Sequence, residues 1–150
     1  MILTERLKKV AEYVNNARCL ADIGTDHGYV PIFCVQNGTA KTAVASDVNK
    51  GPLKSAEKNI EKYEIVEKGK DKFSDETRLI IQPMIAQSEV RRYLSENGFV
   101  IEDESLARED NKIYNIFLCR KGFEKLSEFD IFVGKRLFEK KGELFKRHMD

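Results

Sequence analysis

The chain has 150 residues, enough for one domain with its own core. Its 26 basic and 25 acidic residues leave a net charge of +1, so any nucleic-acid contact has to come from a local patch rather than from bulk basicity. The three cysteines (Cys19, Cys34 and Cys119) are an odd number without a C-x-x-C pair, which excludes a disulfide framework or cysteine zinc site and fits a reducing cytoplasm. No apolar run reaches the ~18 residues of a membrane span. Charges at Glu5, Arg6, Lys8 and Lys9 come too early for a secretory leader. The expectation is a soluble cytoplasmic protein with no metal and no membrane partner.

Leu3, Leu7, Val10, Ala11 and Val14 recur at helical spacing behind Thr4, a good cap, and the run stops at Asn15 and Asn16. A strand over 18–23 follows, then a glycine turn over 24–28. Tyr29, Val30, Ile32, Phe33 and Val35 mark a second helix that ends at Asn37-Gly38. Residues 42–46 read as a short strand closed by Asp47. Gly51-Pro52 opens a third helix with Leu53, Ala56 and Ile60 on one face. The order is that of a right-handed β–α–β unit.

From 62 to 78 charge replaces periodicity. Leu79, Ile80 and Ile81 then form a buried strand stopped at Gln82-Pro83. Val90 and Leu94 place a helix over 85–97, with Gly98 as its end. A strand starts at 99–101, an acidic turn spans 103–111, and a second strand over 113–119 completes an antiparallel pair. Beyond Gly122, Leu126, Phe129, Phe132, Leu137, Phe138, Leu144 and Phe145 alternate with lysines as one or two amphipathic helices.

The chemistry concentrates in the first turn. Gly24-Thr25-Asp26-His27-Gly28 occupies the place of a G-x-G-x-x-G dinucleotide loop, at the carboxyl end of the first strand where α/β sheets bind nucleotides. Asp26 puts a carboxylate where a pyrophosphate would lie, and two anions repel in a partly buried cleft. A phosphate-free nucleoside bearing a cation fits instead, and S-adenosylmethionine is such a ligand. Asp47, about 20 residues beyond the turn, is placed for ribose hydroxyls, and Val48 follows it. Asp22 is placed for the methionyl ammonium. Simpler roles exist for each: a helix cap for Asp22, a turn residue for Asp47, an exposed helix start for His27.

The blocks ADIGTDHGYVP, NG, ASDVNKGPLKSAEKNI, RLIIQP and EDNKIYNIFL, collinear over nearly the whole chain, resemble the bacterial tRNA (adenine(22)-N(1))-methyltransferases. The resemblance implies a class I, Rossmann-like α/β methyltransferase domain over 1–120 and the start of a C-terminal helical domain over 121–150. It implies S-adenosyl-L-methionine held by Asp22, Gly24 and Asp47, with Thr25, His27, Gly28 and Val48 around it. It makes Asp26 the catalytic candidate, puts Gln82 and Pro83 on the target side, and names tRNA as the partner. A carboxylate at Asp26 suits methylation of adenine N1, because it can hold the adenine amino group and offset the positive charge of the product. Asp26 fixing only the turn, with catalysis by alignment, is the alternative.

Two further strand–helix units of the family pattern, with a glycine-rich loop and an I-A-G-M-G-G-like motif, have no counterpart between Tyr63 and Leu79. Either the first strand pairs directly with the Leu79 strand, or the sheet is left open and a homodimer covers its edges. A catalytically inactive cofactor- or tRNA-binding relative is the competing reading. Lys135, Arg136, Lys140, Lys141, Lys146 and Arg147 are either phosphate contacts or a solvated face among glutamates.

Overall fold

Thr4 accepts a hydrogen bond from the Leu7 amide at 3.4 Å and opens α1 (Glu5–Glu12), as its sequence predicts. The computed structural model describes residues 2–23, 28–46 and 73–149. It divides into two units, Met1–Lys68 and Gly69–Asp150.

In the first unit α1 leads through Asn16, in a left-handed φ of 49°, into β1 (Ala17–Ile23). Helix α2 (Tyr29–Gln36) ends where expected, with the Asn37 side chain donating to the Phe33 carbonyl at 2.8 Å and Gly38 at φ 72°. Strand β2 (Ala40–Ser46) runs parallel to β1, from Ala17 opposite Ala40 to Ile23 opposite Ser46. This is the β–α–β unit read from the sequence, with its second strand starting earlier than Thr42. Leu3, Ala11 and Val14 pack with Val30, Cys34 and Ala40 as its buried core. The helix expected from Gly51 lies outside the described residues.

In the second unit β3 (Leu79–Ile81) pairs antiparallel with β5 (Lys112–Lys121), which pairs antiparallel with β4 (Phe99–Glu109). Strand β5 therefore lies between two mutually parallel strands that α3 (Gln87–Glu96) connects. Phe99, Ile101, Phe117 and Cys119 share the sheet face that α3 covers with Val90 and Leu94, and Ile116 is buried on the opposite face.

Three expectations are corrected here. Helix α3 begins at Gln87 rather than 85, because Ala86 sits in a left-handed conformation at φ 60° and only its carbonyl joins the helix, accepting from Val90 at 3.0 Å. The acidic turn over 103–111 is mostly strand. A bulge between Ile101 and Asp103 resets the pleat and turns Glu104 onto the face of Ile101, leaving Asp110 and Asn111 as the turn. The tail forms three short helices rather than one or two: α4 (Glu128–Val133), α5 (Lys135–Lys140) and α6 (Glu143–Met149). Gly134, at φ 91°, separates the first two.

A capping box starts α4: the Asp130 amide donates to Ser127 Oγ at 3.1 Å and the Ser127 amide donates to Asp130 Oδ2 at 3.0 Å. The Ser127 hydroxyl and amide hold the Asp130 carboxyl below the usual carboxylate range. A carboxyl lowered by folding stabilises above its unfolded pKa and loses that stabilisation as pH falls through the folded value. Ser127→Ala should cost about 1 kcal/mol at neutral pH, with the loss shrinking on acidification, as read from denaturant melts. An equal loss at all pH values would contradict the box.

The cysteines differ sharply. Burial pushes the Cys34 thiol up, and it pushes Cys119 far above the ordinary range, with Glu104 and Glu102 adding to the effect. Cys19 is exposed. A thiol reagent should modify one cysteine in the folded chain and all three after denaturation. Native-state labelling of Cys119 would contradict the packing.

Candidate functional site

Strands β1 and β2 end side by side, Ile23 opposite Ser46, so their carboxyl ends make one edge of the first unit. Asp22 lies at this edge, half-buried and opposite Ala45. Its charge reaches Cys34 of α2, where it adds to burial in raising the thiol. Gly28 opens α2 at φ 66°, and its carbonyl accepts the Ile32 amide at 3.1 Å. A Cβ at Gly28 would meet only Ile32 Cδ1 at 3.7 Å, so the backbone angle rather than crowding selects glycine. A carboxylate at the end of a parallel strand, next to a glycine-opened helix with no acidic residue in its first turn, suits an ammonium-bearing nucleoside. The residues present fit such a group. Gly24, Thr25, Asp26 and His27, and likewise Asp47 and Val48, lie outside the described residues.

In the second unit Gln82 and Pro83 leave the carboxyl end of β3. The Gln82 amide Nε2 donates to Met84 Sδ at 3.4 Å, Pro83 is buried, and Met84 and Ile85 are exposed. The left-handed Ala86 turns this loop into α3. Asp22 and Gly28 thus share one end of their unit, and Gln82 and Pro83 share the end of β3 in the other.

The basic tail is largely committed to internal pairs. Lys135 donates to Glu124 Oε1 at 2.6 Å, and Arg136 forks onto both Glu124 oxygens at 3.0 Å. Lys140 pairs with Asp103 and donates to the Glu104 carbonyl at 2.8 Å. Lys141 lies over the Phe138 ring, 5.1 Å from its centroid. Lys140 is exposed and Lys135 and Arg136 are partly so, each beside a carboxylate, so a phosphate has internal competitors at all three.

Sequence reasoning missed a buried polar cluster. Arg91 Nε donates to Glu104 Oε1 at 2.6 Å, with the two side chains 2% and 1% exposed. Arg91 Nη2 reaches Asn115 Oδ1 at 3.5 Å, and its guanidinium lies 5.1 Å from the Phe117 ring centroid. Asn115 Nδ2 is buried without a partner among the described residues. The signal was available for Arg91, which falls on the stripe defined by Val90 and Leu94. It was hidden for Glu104, whose inward face depends on the bulge.

Among the described residues no group of three His, Cys, Asp or Glu side chains is arranged to hold a metal. None of the described helices is long and apolar enough to cross a membrane.

Residues 3–68 match a methyltransferase-domain family, and residues 63–150 match the tRNA (adenine(22)-N(1))-methyltransferase family. The tRNA (adenine(22)-N(1))-methyltransferase of Bacillus subtilis (strain 168) is 31% identical over 156 residues, covering 80% of this chain and 66% of that protein. This chain therefore spans a little under two thirds of the length of that relative. The 156 positions draw on 80% of a 150-residue chain, or 120 residues. The relative thus carries extra residues inside the matched span, on the scale of the roughly 30 that a β–α–β unit needs.

Among solved structures, a Streptococcus pneumoniae protein in complex with S-adenosyl-L-methionine superposes with a TM-score of 0.84 at 29% identity, covering 99% of this chain and 86% of its own. The M1A22 tRNA methyltransferase of B. subtilis gives 0.80 at 28%, covering 98% and 81%. M. capricolum TrmK with S-adenosyl-homocysteine gives 0.76 at 28%, covering 99% and 82%. The fold is the Rossmann-like α/β fold of these methyltransferases. By family match over more than half its length, the chain belongs to the tRNA (adenine(22)-N(1))-methyltransferase family.

Proposed function

We propose that this chain methylates N1 of an adenine in tRNA with S-adenosyl-L-methionine as methyl donor. The observation that carries the reading is the flush carboxyl edge of β1 and β2, with Asp22 on it and Gly28 opening the next helix, in a chain of this family. The cofactor supplies an electrophilic methyl on a sulfonium. Asp22 binds its ammonium, Asp47 accepts from the ribose hydroxyls, and Gly24, Thr25, His27, Gly28 and Val48 line its adenosine end. The adenine N1 lone pair takes the methyl and the S–CH3 bond breaks, leaving the positive charge on the base. Asp26 accepts a hydrogen bond from the adenine amino group and offsets that charge. Gln82 and Pro83 bound the target base, which must leave its stack to be reached.

In functional terms the division falls at residue 120: a shortened catalytic domain before it, and after it a helical segment that meets tRNA. The work is done in the cytoplasm, and no metal takes part. A second copy covers the strand edges of the first unit. Among the described residues β1 and β2 form a two-stranded sheet with open outer edges, which supports this, since unpaired edges invite pairing.

Labelled methyl should pass to tRNA, and Asp26→Ala should reduce the rate by ~100-fold or more while leaving cofactor affinity near wild type. Asp22→Asn should instead weaken the cofactor, as read by calorimetry. Cofactor binding with no transfer to any tRNA would mark an inactive relative and contradict the proposal. Light scattering should give the mass of a dimer; a monomer at tens of micromolar would rule out the second copy.

A further inference from the structure

We propose that Arg91, Glu104 and Gly134 form a rigid joint that sets the course of α4–α6 and so positions tRNA against the target-side loop; this rests on the methyltransferase reading above. The joint sits at the break between α4 and α5. Arg91 Nη1 donates to the carbonyls of Ile131 and Phe132, at 3.0 and 3.3 Å, where α4 ends. Glu104 Oε2 accepts the Arg136 amide at 3.2 Å, where α5 begins. A cation thus meets the negative end of one helix and an anion the positive end of the next, while the two charges bond each other. Both signs are matched.

Gly134 is what lets the backbone come so close. A Cβ there would lie 2.8 Å from Arg91 Nη2 and 2.9 Å from Glu104 Oε2, and φ is 91°. Any side chain must displace the ion pair or move the helices. A second tier holds the same turn from outside. Arg136 Nε donates to the Ile101 carbonyl at 3.1 Å, and Glu124 binds both Lys135 and Arg136. Buried ion pairs contribute little net stability against an apolar substitute, so their value lies in fixing one arrangement.

The joint is also near the site that it would serve. Arg91 lies five residues beyond Ala86 on α3, a rise of about 7 Å along a helix. One rigid helix therefore carries the Gln82–Pro83 loop at its start and the joint in its second turn. The helices on either side of the joint carry chemistry suited to an RNA, with Phe129 and Phe132 exposed on α4 before it and Phe138, under Lys141, exposed on α5 after it. Arg91 and Gly134 act through the helices, as positioning residues, and touch no substrate.

Three variants test this: Gly134→Ala, Arg91→Lys, and the double Arg91→Met with Glu104→Leu. Each should raise the tRNA Kd and KM by about tenfold or more, about 1.4 kcal/mol, with kcat at saturating tRNA and the cofactor Kd within about threefold of wild type. The double variant should melt above Glu104→Leu alone, because both charges leave together. Should Gly134→Ala fail to fold, the double variant decides. A double variant that binds tRNA as wild type overturns the joint while the methyltransferase reading stands. Wild-type chain that binds cofactor but no tRNA overturns both.

Discussion

A single buried ion pair organises the second half of this protein. Arg91 and Glu104 are almost wholly removed from water, and each must find every partner inside the protein. They do so by bonding each other and by capping opposite helix ends across Gly134. Removing either one strands the other, at a cost of several kcal/mol. The same constraint explains two oddities of sequence: a charged residue on the apolar stripe of α3, and a glycine where the tail would otherwise continue as one helix. It also gives the bulge after Ile101 a role, since without it Glu104 would lie on the sheet face away from Arg91.

The first half is governed by a different rule. Parallel strands that end together make a crevice at their carboxyl ends, and the residues there determine which ligand enters. In the proposed function a carboxylate at Asp22, beside a glycine turn with another carboxylate at Asp26 in its sequence, disfavours a pyrophosphate and suits a cationic nucleoside. Two short strands and a helix suffice for that edge. They leave apolar side chains such as Val44 exposed, and this ties the cofactor edge to the question of assembly.

Much of the fold was legible because local signals agreed with packing. Thr4, Asn37-Gly38, Leu79–Ile81 and the Val90/Leu94 spacing each act through near neighbours, and each element appears there, the last of them starting two residues later than its spacing puts it. The misreadings share one cause: the deciding interaction was distant in sequence or invisible to residue type. Ala86 takes a left-handed angle that alanine does not advertise. Acidic residues over 103–111 imitate a turn until Arg91 and Lys140 claim Glu104 and Asp103. Lysines and arginines of the tail imitate a free basic patch until Glu124 claims two of them. At the site, Asp22 and Gly28 stand at the edge their motif implies, while most of the motif between and beyond them carries its argument in chemistry alone.

The proposed reaction puts a methyl on N1, on the Watson–Crick face of an adenine. Methylation at N1 blocks base pairing, so reverse transcription across the treated tRNA reads the product directly. After incubation with the full chain and S-adenosyl-L-methionine, a new stop one nucleotide to the 3′ side of a single adenine is expected. Full-length read-through, with the cofactor demonstrably bound, would contradict it.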